Sequence, residues 1–176
     1  MKISSKYKLY DYQSKAVRWL KNRPTGILFA DMGLGKTLEA ILTIQILLTI
    51  KPTAKVLWLT KSSILKTGGT EREIKKWTED KIKVIPMEGS SKPELREFTV
   101  GLVKDIPNSV LLTNYEAVRT TKAFKGIRFD FIVMDEVHKL KGGANPGKPT
   151  ELWKSVKEIA HQADFIMMLT GTPMVN

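Results

Sequence analysis

The segment that most constrains the fold is the octet from Ala30 to Thr37, Ala-Asp-Met-Gly-Leu-Gly-Lys-Thr. It follows a short apolar run, Gly26–Phe29, and precedes an apolar pattern of helical length, Leu38–Ile50. A glycine-containing loop between a strand and a helix can turn its backbone N–H groups inward around an anion at the helix start. The octet therefore predicts a strand, a phosphate-binding loop and a helix, in that order. The alternative is a Gly-rich turn that arose by chance.

The side chains of this octet fit the phosphates of a nucleotide and a magnesium ion. Gly33 and Gly35 let the backbone come close to phosphates and adopt dihedral angles that a Cβ disfavours. The ammonium of Lys36 can reach terminal phosphates, and the hydroxyl of Thr37 is a hard oxygen ligand of the type that Mg²⁺ prefers. Such loops usually begin with Gly, where this chain has Ala30. The expected nucleotide contacts in the loop are Met32, Gly33, Leu34, Gly35, Lys36 and Thr37.

The composition narrows the class of protein further. The 176 residues are enough for one domain or for one lobe of a larger protein, and 42% of them are hydrophobic, which allows a buried core. The chain has no cysteine, which excludes a disulfide framework and a thiolate metal site, and its two histidines are too few for a His-rich site. No secretory signal is visible, and the longest apolar stretch, Ala40–Ile50, is shorter than the roughly 20 residues of a membrane span. We expect a soluble intracellular protein that does not enter a membrane.

The charge of the chain favours an anionic partner. Lys and Arg number 29 and Asp and Glu number 18, which gives a formal net charge of +11. A surplus of this size is most often found in proteins that bind nucleic acid, although a basic protein that is merely soluble is the alternative. Two clusters of cations follow expected strand ends, and each could also be a solvated helix face. They comprise Lys61, Lys66, Arg72, Lys75 and Lys76, and Arg119, Lys122, Lys125 and Arg128.

Apolar runs of strand length alternate with helical patterns along the chain. Runs such as Val56–Leu59 and Phe131–Met134 are continuous, which is typical of parallel strands covered by helices on both faces. The predicted fold class is therefore α/β, an open, doubly wound, mainly parallel sheet whose ligands bind beyond the carboxyl ends of the strands. The expected strands are Gly26–Ala30, Lys55–Thr60, Ile82–Pro86, Ser109–Thr113, Phe129–Asp135 and Asp164–Thr170. The expected helices are Asp11–Asn22, Lys36–Ile50, Thr70–Glu79, Lys92–Lys104 and Glu151–His161, with loops at Lys66–Thr70 and Lys141–Pro149.

A second motif places two acids at the end of an apolar strand. The run Phe131–Met134 is followed by Asp135 and Glu136. In a protein with a phosphate-binding loop, an acid at a neighbouring strand tip holds Mg²⁺, here Asp135. The next acid, Glu136, can polarise the water that attacks the γ-phosphate. A solvated acidic turn is the alternative, and the presence of the octet in the same chain argues against it.

Segments spread from residue 9 to residue 176 together resemble the first RecA-like lobe of superfamily-two helicases and translocases. Within that superfamily the chain most resembles the Swi/Snf-related DNA-translocating ATPases. The segments are Leu9–Gln13 with Ala16–Leu20, Asp31–Thr37, Leu111–Glu116, Asp135–Lys141 and Leu169–Asn176. The resemblance implies a RecA-like ATP-binding lobe that uses ATP and Mg²⁺, acts on double-stranded DNA and works with a second RecA-like lobe.

The resemblance also implies roles for individual residues. Lys36, Asp135 and Glu136 would be catalytic, with Asp135 also a metal ligand, and Gln13 would read the adenine unless it is an ordinary surface residue. The residues that would couple hydrolysis to DNA contact are His138, Thr170, Gly171 and Thr172. A locally bonded histidine and turn-capping hydroxyls are the alternatives for these. The candidates for DNA contact, from the resemblance and the two basic clusters, are Lys61, Ser62, Lys66, Thr113, Asn114, Tyr115, Arg119 and Lys122.

The chain also departs from the family pattern. Val137 replaces the usual Ala, and Lys61 stands where Pro is usual. The sequence stops at Asn176, where a first lobe ends, so we expect a fragment of a longer protein, with a natural single-lobe protein as the alternative. An isolated lobe should hydrolyse ATP weakly or not at all, because the resemblance implies that a second lobe would supply the arginine finger. Other functions left open are a nucleotide-binding module without turnover and a motor lobe of an RNA helicase or a restriction system.

Overall fold

A computed structural model describes residues 9–88, 91–138, 140 and 147–171. Six strands in these ranges form one sheet in the order β1-β6-β5-β2-β4-β3, and every neighbouring pair is parallel. The strands are β1 (Thr25–Phe29), β2 (Val56–Thr60), β3 (Lys83–Met87), β4 (Ser109–Asn114), β5 (Phe131–Asp135) and β6 (Phe165–Thr170). All six strands predicted from the apolar runs are thus confirmed, with ends that differ by at most two residues.

Helices connect the strands and cover the sheet. They are α1 (Asp11–Leu20), α2 (Lys36–Ile50), α3 (Ser62–Lys66), α4 (Gly69–Thr78), α5 (Pro93–Leu102), α6 (Tyr115–Thr120) and α7 (Glu151–Ala160), with a 3₁₀ helix at Lys122–Gly126. None of the helices in the described ranges has both the length and the apolar character that a membrane crossing requires.

The core lies on both faces of the sheet, because successive strand side chains point to opposite sides. In β2, Trp58 is fully buried in a cluster with Ile41 and Ile44 of α2. Its neighbours Leu57 and Leu59 belong to a second cluster, formed with α5, α6 and α7. Of the four interior strands, β2, β4 and β5 are buried almost throughout, which is why their sequences read as continuous apolar runs.

Two short helices and the 3₁₀ turn were not predicted. The segment Lys66–Thr70, expected to be a loop, instead contains the end of α3 and the start of α4. Helix α3 buries Leu65, and α6 is capped by Asn114, whose side chain accepts a hydrogen bond of 2.9 Å from the Ala117 N–H. Both helices are too short for an apolar period to identify them. Of the other expected loop, residues 141–146 lie outside the described residues.

The strand order decides where the functional side chains meet. In a parallel sheet all carboxyl ends lie at one edge, and ligands bind there. Strand β6 separates β1, which leads into the octet, from β5, which ends at Asp135. Strand β2 pairs with β5 on the other side, so Thr60 at the end of β2 lies next to the end of β5. Thr60 also pairs in register with Asn114 of β4. The octet and the two acids therefore share one edge of the sheet.

Candidate active site

The octet forms a tight loop whose shape depends on its glycines. Gly33 has φ of 84° and Gly35 has φ of 88°, both in the left-handed region that residues with a Cβ disfavour. Gly35 is the N-cap of α2, and the helix begins at Lys36. The positive end of the α2 dipole and its first N–H groups therefore face the loop, an arrangement that favours a bound anion.

Two adjacent side chains of helix α1 contact this loop. The Tyr12 hydroxyl donates a 3.0 Å hydrogen bond to the carbonyl oxygen of Leu34. Gln13 is 6% exposed, its Oε1 accepts a 3.1 Å hydrogen bond from the Tyr10 N–H, and its Nε2 is close enough to Gly35 to clash with a Cβ there. Gln13 is therefore a buried residue of the loop's surroundings, and its interpretation as an ordinary surface residue is wrong.

Lys36 lies across the mouth of the loop. Its Nζ donates to the carbonyl oxygens of Ala30, at 2.6 Å, and Asp31, at 2.9 Å. A Cβ on Gly171 would lie 3.8 Å from the same Nζ, so the end of β6 adjoins the lysine. These contacts are with neutral carbonyls, and phosphate oxygens would be stronger acceptors for the ammonium.

Asp135 is held at the tip of β5 by groups from strand β2 and helix α6. The Thr60 hydroxyl donates a 3.2 Å hydrogen bond to Oδ2 of Asp135, and the Tyr115 hydroxyl donates one of 2.8 Å to its backbone oxygen. Burial raises the pKa of the Asp135 carboxyl, the hydrogen bond from Thr60 opposes the rise, and the charge of Glu136 adds to it. A divalent cation at this carboxyl would reverse that preference and hold it ionised.

Glu136 occupies an uncommon backbone conformation. Its φ is 57°, and a left-handed residue other than glycine costs on the order of 1 kcal/mol or more. Both carboxylate oxygens have partners, since Oε1 lies 3.7 Å from Nζ of Lys61 and Oε2 lies 3.0 Å from Nδ1 of His138. These two contacts fix the direction of the side chain and help to offset the backbone strain.

His138 also connects β5 with β6. Its Nδ1 lies 3.4 Å from Oγ1 of Thr170 in addition to its contact with Glu136. Because a carboxylate accepts hydrogen bonds, this arrangement assigns the hydrogen on Nδ1 to the bond with Glu136. Lys61, Glu136, His138 and Thr170 thus lie in a row across the tips of β2, β5 and β6. Thr172 lies outside the described residues.

The residues present fit Mg²⁺ that arrives with a nucleotide. The described ranges contain no group of three or more acidic or histidine side chains able to hold a metal by themselves. Mg²⁺ characteristically takes one or two carboxylates together with substrate phosphates and water. The Asp135 carboxylate and the Thr37 hydroxyl are hard oxygen donors of this type, at the two motifs that the sheet edge brings together.

The expected DNA contacts divide into exposed and buried residues. Thr113 is fully buried and its hydroxyl donates to the Met87 carbonyl at 2.7 Å. Tyr115 is 5% exposed, and burial raises the pKa of its hydroxyl. The expectation that these two side chains touch DNA does not fit their burial, because both serve as supports beneath the surface. Asn114 is also buried, with its Nδ2 donating to the exposed Ser62 at 2.7 Å.

The remaining candidates lie at or near the surface. Lys66 and Lys122 have exposed side chains, and Arg119 is exposed while donating from Nε to Glu116 at 2.8 Å. Lys61 is half-buried because it faces Glu136. All of them follow the carboxyl ends of β2 or β4, the edge that also carries the octet.

Two supporting residues were missed by the sequence reasoning. Thr60 holds Asp135, and the signal for it was a hydroxyl at the end of the otherwise apolar run of β2. Tyr12 holds the loop through the Leu34 carbonyl, and its position directly before Gln13 was the available signal. Neither signal names a partner, because each hydrogen bond depends on which elements become neighbours in the fold.

Comparison with known proteins gives consistent matches over almost the whole chain. A family model described as SNF2-related domain matches residues 12–176. The ISWI chromatin-remodeling complex ATPase ISW2 of Saccharomyces cerevisiae is 31% identical, over 96% of this chain and 15% of that protein. The DNA excision repair protein ERCC-6-like of Danio rerio is 32% identical, over 96% of this chain and 12% of that protein.

Solved structures give the same result. The SWI2/SNF2 ATPase core domain of Sulfolobus solfataricus superposes with a TM-score of 0.73 at 26% identity, over 99% of this chain and 33% of that one. The fold is that of one RecA-like lobe. The chain thus spans a small part of the length of each curated relative.

Proposed function

This chain belongs to the SNF2-related domain family, and on that premise we propose that it is the ATP-binding lobe of a DNA-dependent ATPase. In this proposal, Mg²⁺-dependent hydrolysis of ATP is coupled to movement along double-stranded DNA. The observation that carries it is the convergence of the glycine loop, Asp135 and Glu136 at one edge of the sheet. The matched relatives support it, because one is named an ATPase of a chromatin-remodeling complex and another a DNA excision repair protein.

The binding step uses the loop and its surroundings. Backbone N–H groups from Gly33 to Thr37 and the start of α2 would hold the phosphates. Lys36 would exchange the carbonyls of Ala30 and Asp31 for phosphate oxygens, and Gln13 would face the base. Met32 and Leu34 are proposed as further nucleotide contacts from the loop. Thr37 and Asp135 would hold Mg²⁺, whose charge neutralises the phosphates when it is bound.

The hydrolytic step needs an acceptor that orients water. Glu136 is the candidate, because a carboxylate beside the metal ligand can accept a hydrogen from the attacking water. Glu136 contacts His138, and His138 lies close to Thr170 at the end of β6, which offers a route by which β6 could sense the state of the carboxylate. Gly171, which follows Thr170, is proposed to belong to this route. Thr172 is proposed to extend this route.

The DNA step would rest on phosphate contacts. The chain carries a net charge of +11, and exposed or half-buried polar and basic side chains follow β2 and β4. Contacts of this type position a protein on the backbone without reading its sequence. The residues proposed for them are Lys61, Ser62, Lys66, Arg119 and Lys122, with Asn114 supporting Ser62.

A second RecA-like lobe is proposed to complete the enzyme. Residues 1–176 form one lobe in this proposal, and the curated relatives are several times longer than the matched part. An arginine finger from a partner lobe is worth roughly 10³–10⁵ in rate in related phosphoryl-transfer enzymes. The chain alone is therefore expected to bind nucleotide and to hydrolyse it slowly. As a DNA motor it would act in solution inside the cell.

Calorimetry with ATP or ADP tests the nucleotide proposal. The chain should bind either nucleotide weakly in the presence of Mg²⁺, and Lys36→Ala should remove most of the binding, because the phosphates lose their cation. Lys104→Ala is the matched control, since Lys104 is exposed and follows α5 at the opposite edge of the sheet. Equal affinity for wild type and Lys36→Ala would contradict the proposal. Binding with no turnover in a protein that carries both lobes would favour a module without catalysis.

A further inference from the structure

We propose that Lys61 restrains Glu136, and that a DNA phosphate which binds Lys61 releases the carboxylate for its role with water. This inference rests on the proposed function and adds a route from DNA to the hydrolytic residue. Its starting point is the 3.7 Å separation between Nζ of Lys61 and Oε1 of Glu136. The two residues follow neighbouring strands, β2 and β5, which are paired in the sheet.

The ion pair with Lys61 adds a second partner to the Glu136 carboxylate. His138 takes the other carboxylate oxygen at 3.0 Å, so both oxygens of Glu136 already have a partner. A carboxylate orients water by accepting its hydrogen bond, and a neighbouring ammonium competes with water for the oxygen it faces. Loss of the Lys61 contact leaves Oε1 open to water on the side that the ammonium faced, while His138 continues to hold Oε2. Glu136 then keeps its direction and accepts a hydrogen from water more readily.

Lys61 is placed to respond to a phosphate. The exposed fractions of the Lys61 and Glu136 side chains are 28% and 14%, so the lysine reaches solvent more than the acid does. Lys61 is the N-cap of α3, and the exposed Ser62 and Lys66 follow it on that helix. It therefore lies between the surface proposed for DNA and the carboxylate at the strand tip.

The two anions compete for the same ammonium. A phosphate held by Lys61 would lie near Glu136, and like charges at such distances repel. Binding of DNA to Lys61 and pairing of Lys61 with Glu136 are thus negatively coupled, and the coupling acts equally in both directions.

Reciprocity allows a test through DNA affinity, without a measurement of hydrolysis. In Glu136→Gln the amide no longer attracts Lys61, which becomes free for phosphate. Binding to a short fluorescent duplex, measured by anisotropy at low salt, should therefore tighten about threefold, the size expected for a partly exposed ion pair. In a Lys61→Met background, Glu136→Gln should leave the affinity unchanged. In a Lys61→Arg background, which keeps the cation, the tightening should return.

Lys66→Met is the matched control, because Lys66 is an exposed cation on the same helix. It should weaken binding by one phosphate contact while leaving the effect of Glu136→Gln intact. Circular dichroism checks that each variant is folded. If Lys61→Met does not fold, the comparison of Glu136→Gln in the wild-type and Lys61→Arg backgrounds still tests the proposal.

The failures of the two proposals are distinguishable. If Glu136→Gln changes duplex affinity equally with Lys and with Met at position 61, Lys61 does not restrain Glu136. The proposal that the chain binds DNA would be unaffected by that result. Absence of duplex binding by the wild-type chain at low salt would remove the proposed function, and the restraint with it.

Discussion

Tyr115 provides a sharp test of how the site is supported. Its hydroxyl donates a 2.8 Å hydrogen bond to the Asp135 carbonyl, and the residue is 5% exposed. Tyr115→Phe keeps the ring and its packing but leaves that carbonyl without this donor. A buried hydrogen bond contributes about 1 kcal/mol net, and an acceptor left unsatisfied adds to the loss. We expect the free energy of unfolding to fall by about 1–2 kcal/mol.

Urea denaturation followed by circular dichroism measures this loss. With a slope of about 2 kcal/mol/M, the midpoint should fall by roughly 0.5–1 M. Tyr12→Phe is the control, because its hydroxyl bond to Leu34 is exposed and water can replace it, so the change should stay within about 0.5 kcal/mol. Unchanged stability of Tyr115→Phe together with weakened duplex binding would refute the reasoning and make Tyr115 a DNA contact.

Two further predictions concern the loop and the opposite edge of the sheet. Gly35→Ala should lose about 1–2 kcal/mol of stability, because φ at this position is 88° and the new Cβ would clash with Gln13. It should also lose most of its nucleotide affinity in calorimetry. Gly101→Ala is the control and should be neutral or stabilising, because its new Cβ meets nothing within 4 Å. Burial would raise the pKa of Asp130, but hydrogen bonds from the side chain of Lys51 and, at 2.8 Å, from the Lys55 N–H outweigh it and lower the pKa. A carboxyl with a lowered pKa stabilises the fold above its unfolded pKa of about 3.9 and ceases to do so as the pH falls through its folded pKa. Asp130→Asn should therefore be less stable than wild type by about 1–3 kcal/mol in urea denaturation at pH 7. The difference in stability should shrink below about pH 4. A difference that does not depend on pH would contradict a stabilising role for the ionised carboxylate.

The fold was largely predictable from the sequence because its strands are long enough and buried enough to leave a pattern. The run from Val56 to Thr60 is buried at every position, so its apolar character reflects the parallel sheet directly. Helix α3 left no such pattern. It spans Ser62–Lys66 and buries one hydrophobic residue, Leu65, so its formation depends on packing against elements distant in sequence.

The site was predictable where the chemistry is local and unpredictable where it is not. The octet and the Asp135-Glu136 pair carry their own spacing, and the fold brings them to one edge. The pairing of Lys61 with Glu136 could not be derived from spacing, because it depends on β2 and β5 being neighbours. Thr113 was expected to contact DNA because its segment resembles a strand-end segment of the family, but β4 lies between β2 and β3 and is buried at every position.

The proposal that this lobe tracks a DNA backbone can be tested through the salt dependence of duplex binding. Each phosphate contact releases counterions, so the log of the affinity should fall with the log of salt by about 0.9 per contact, with little preference for sequence. Neutralising Lys61 with Lys66, or Arg119 with Lys122, should flatten that slope by one to two contacts, whereas neutralising Lys154 with Lys157 on α7 should change it less. A slope reduced only by the α7 pair would put the DNA on another face. No binding at low salt would contradict the claim and leave the charge of +11 as a feature of solubility.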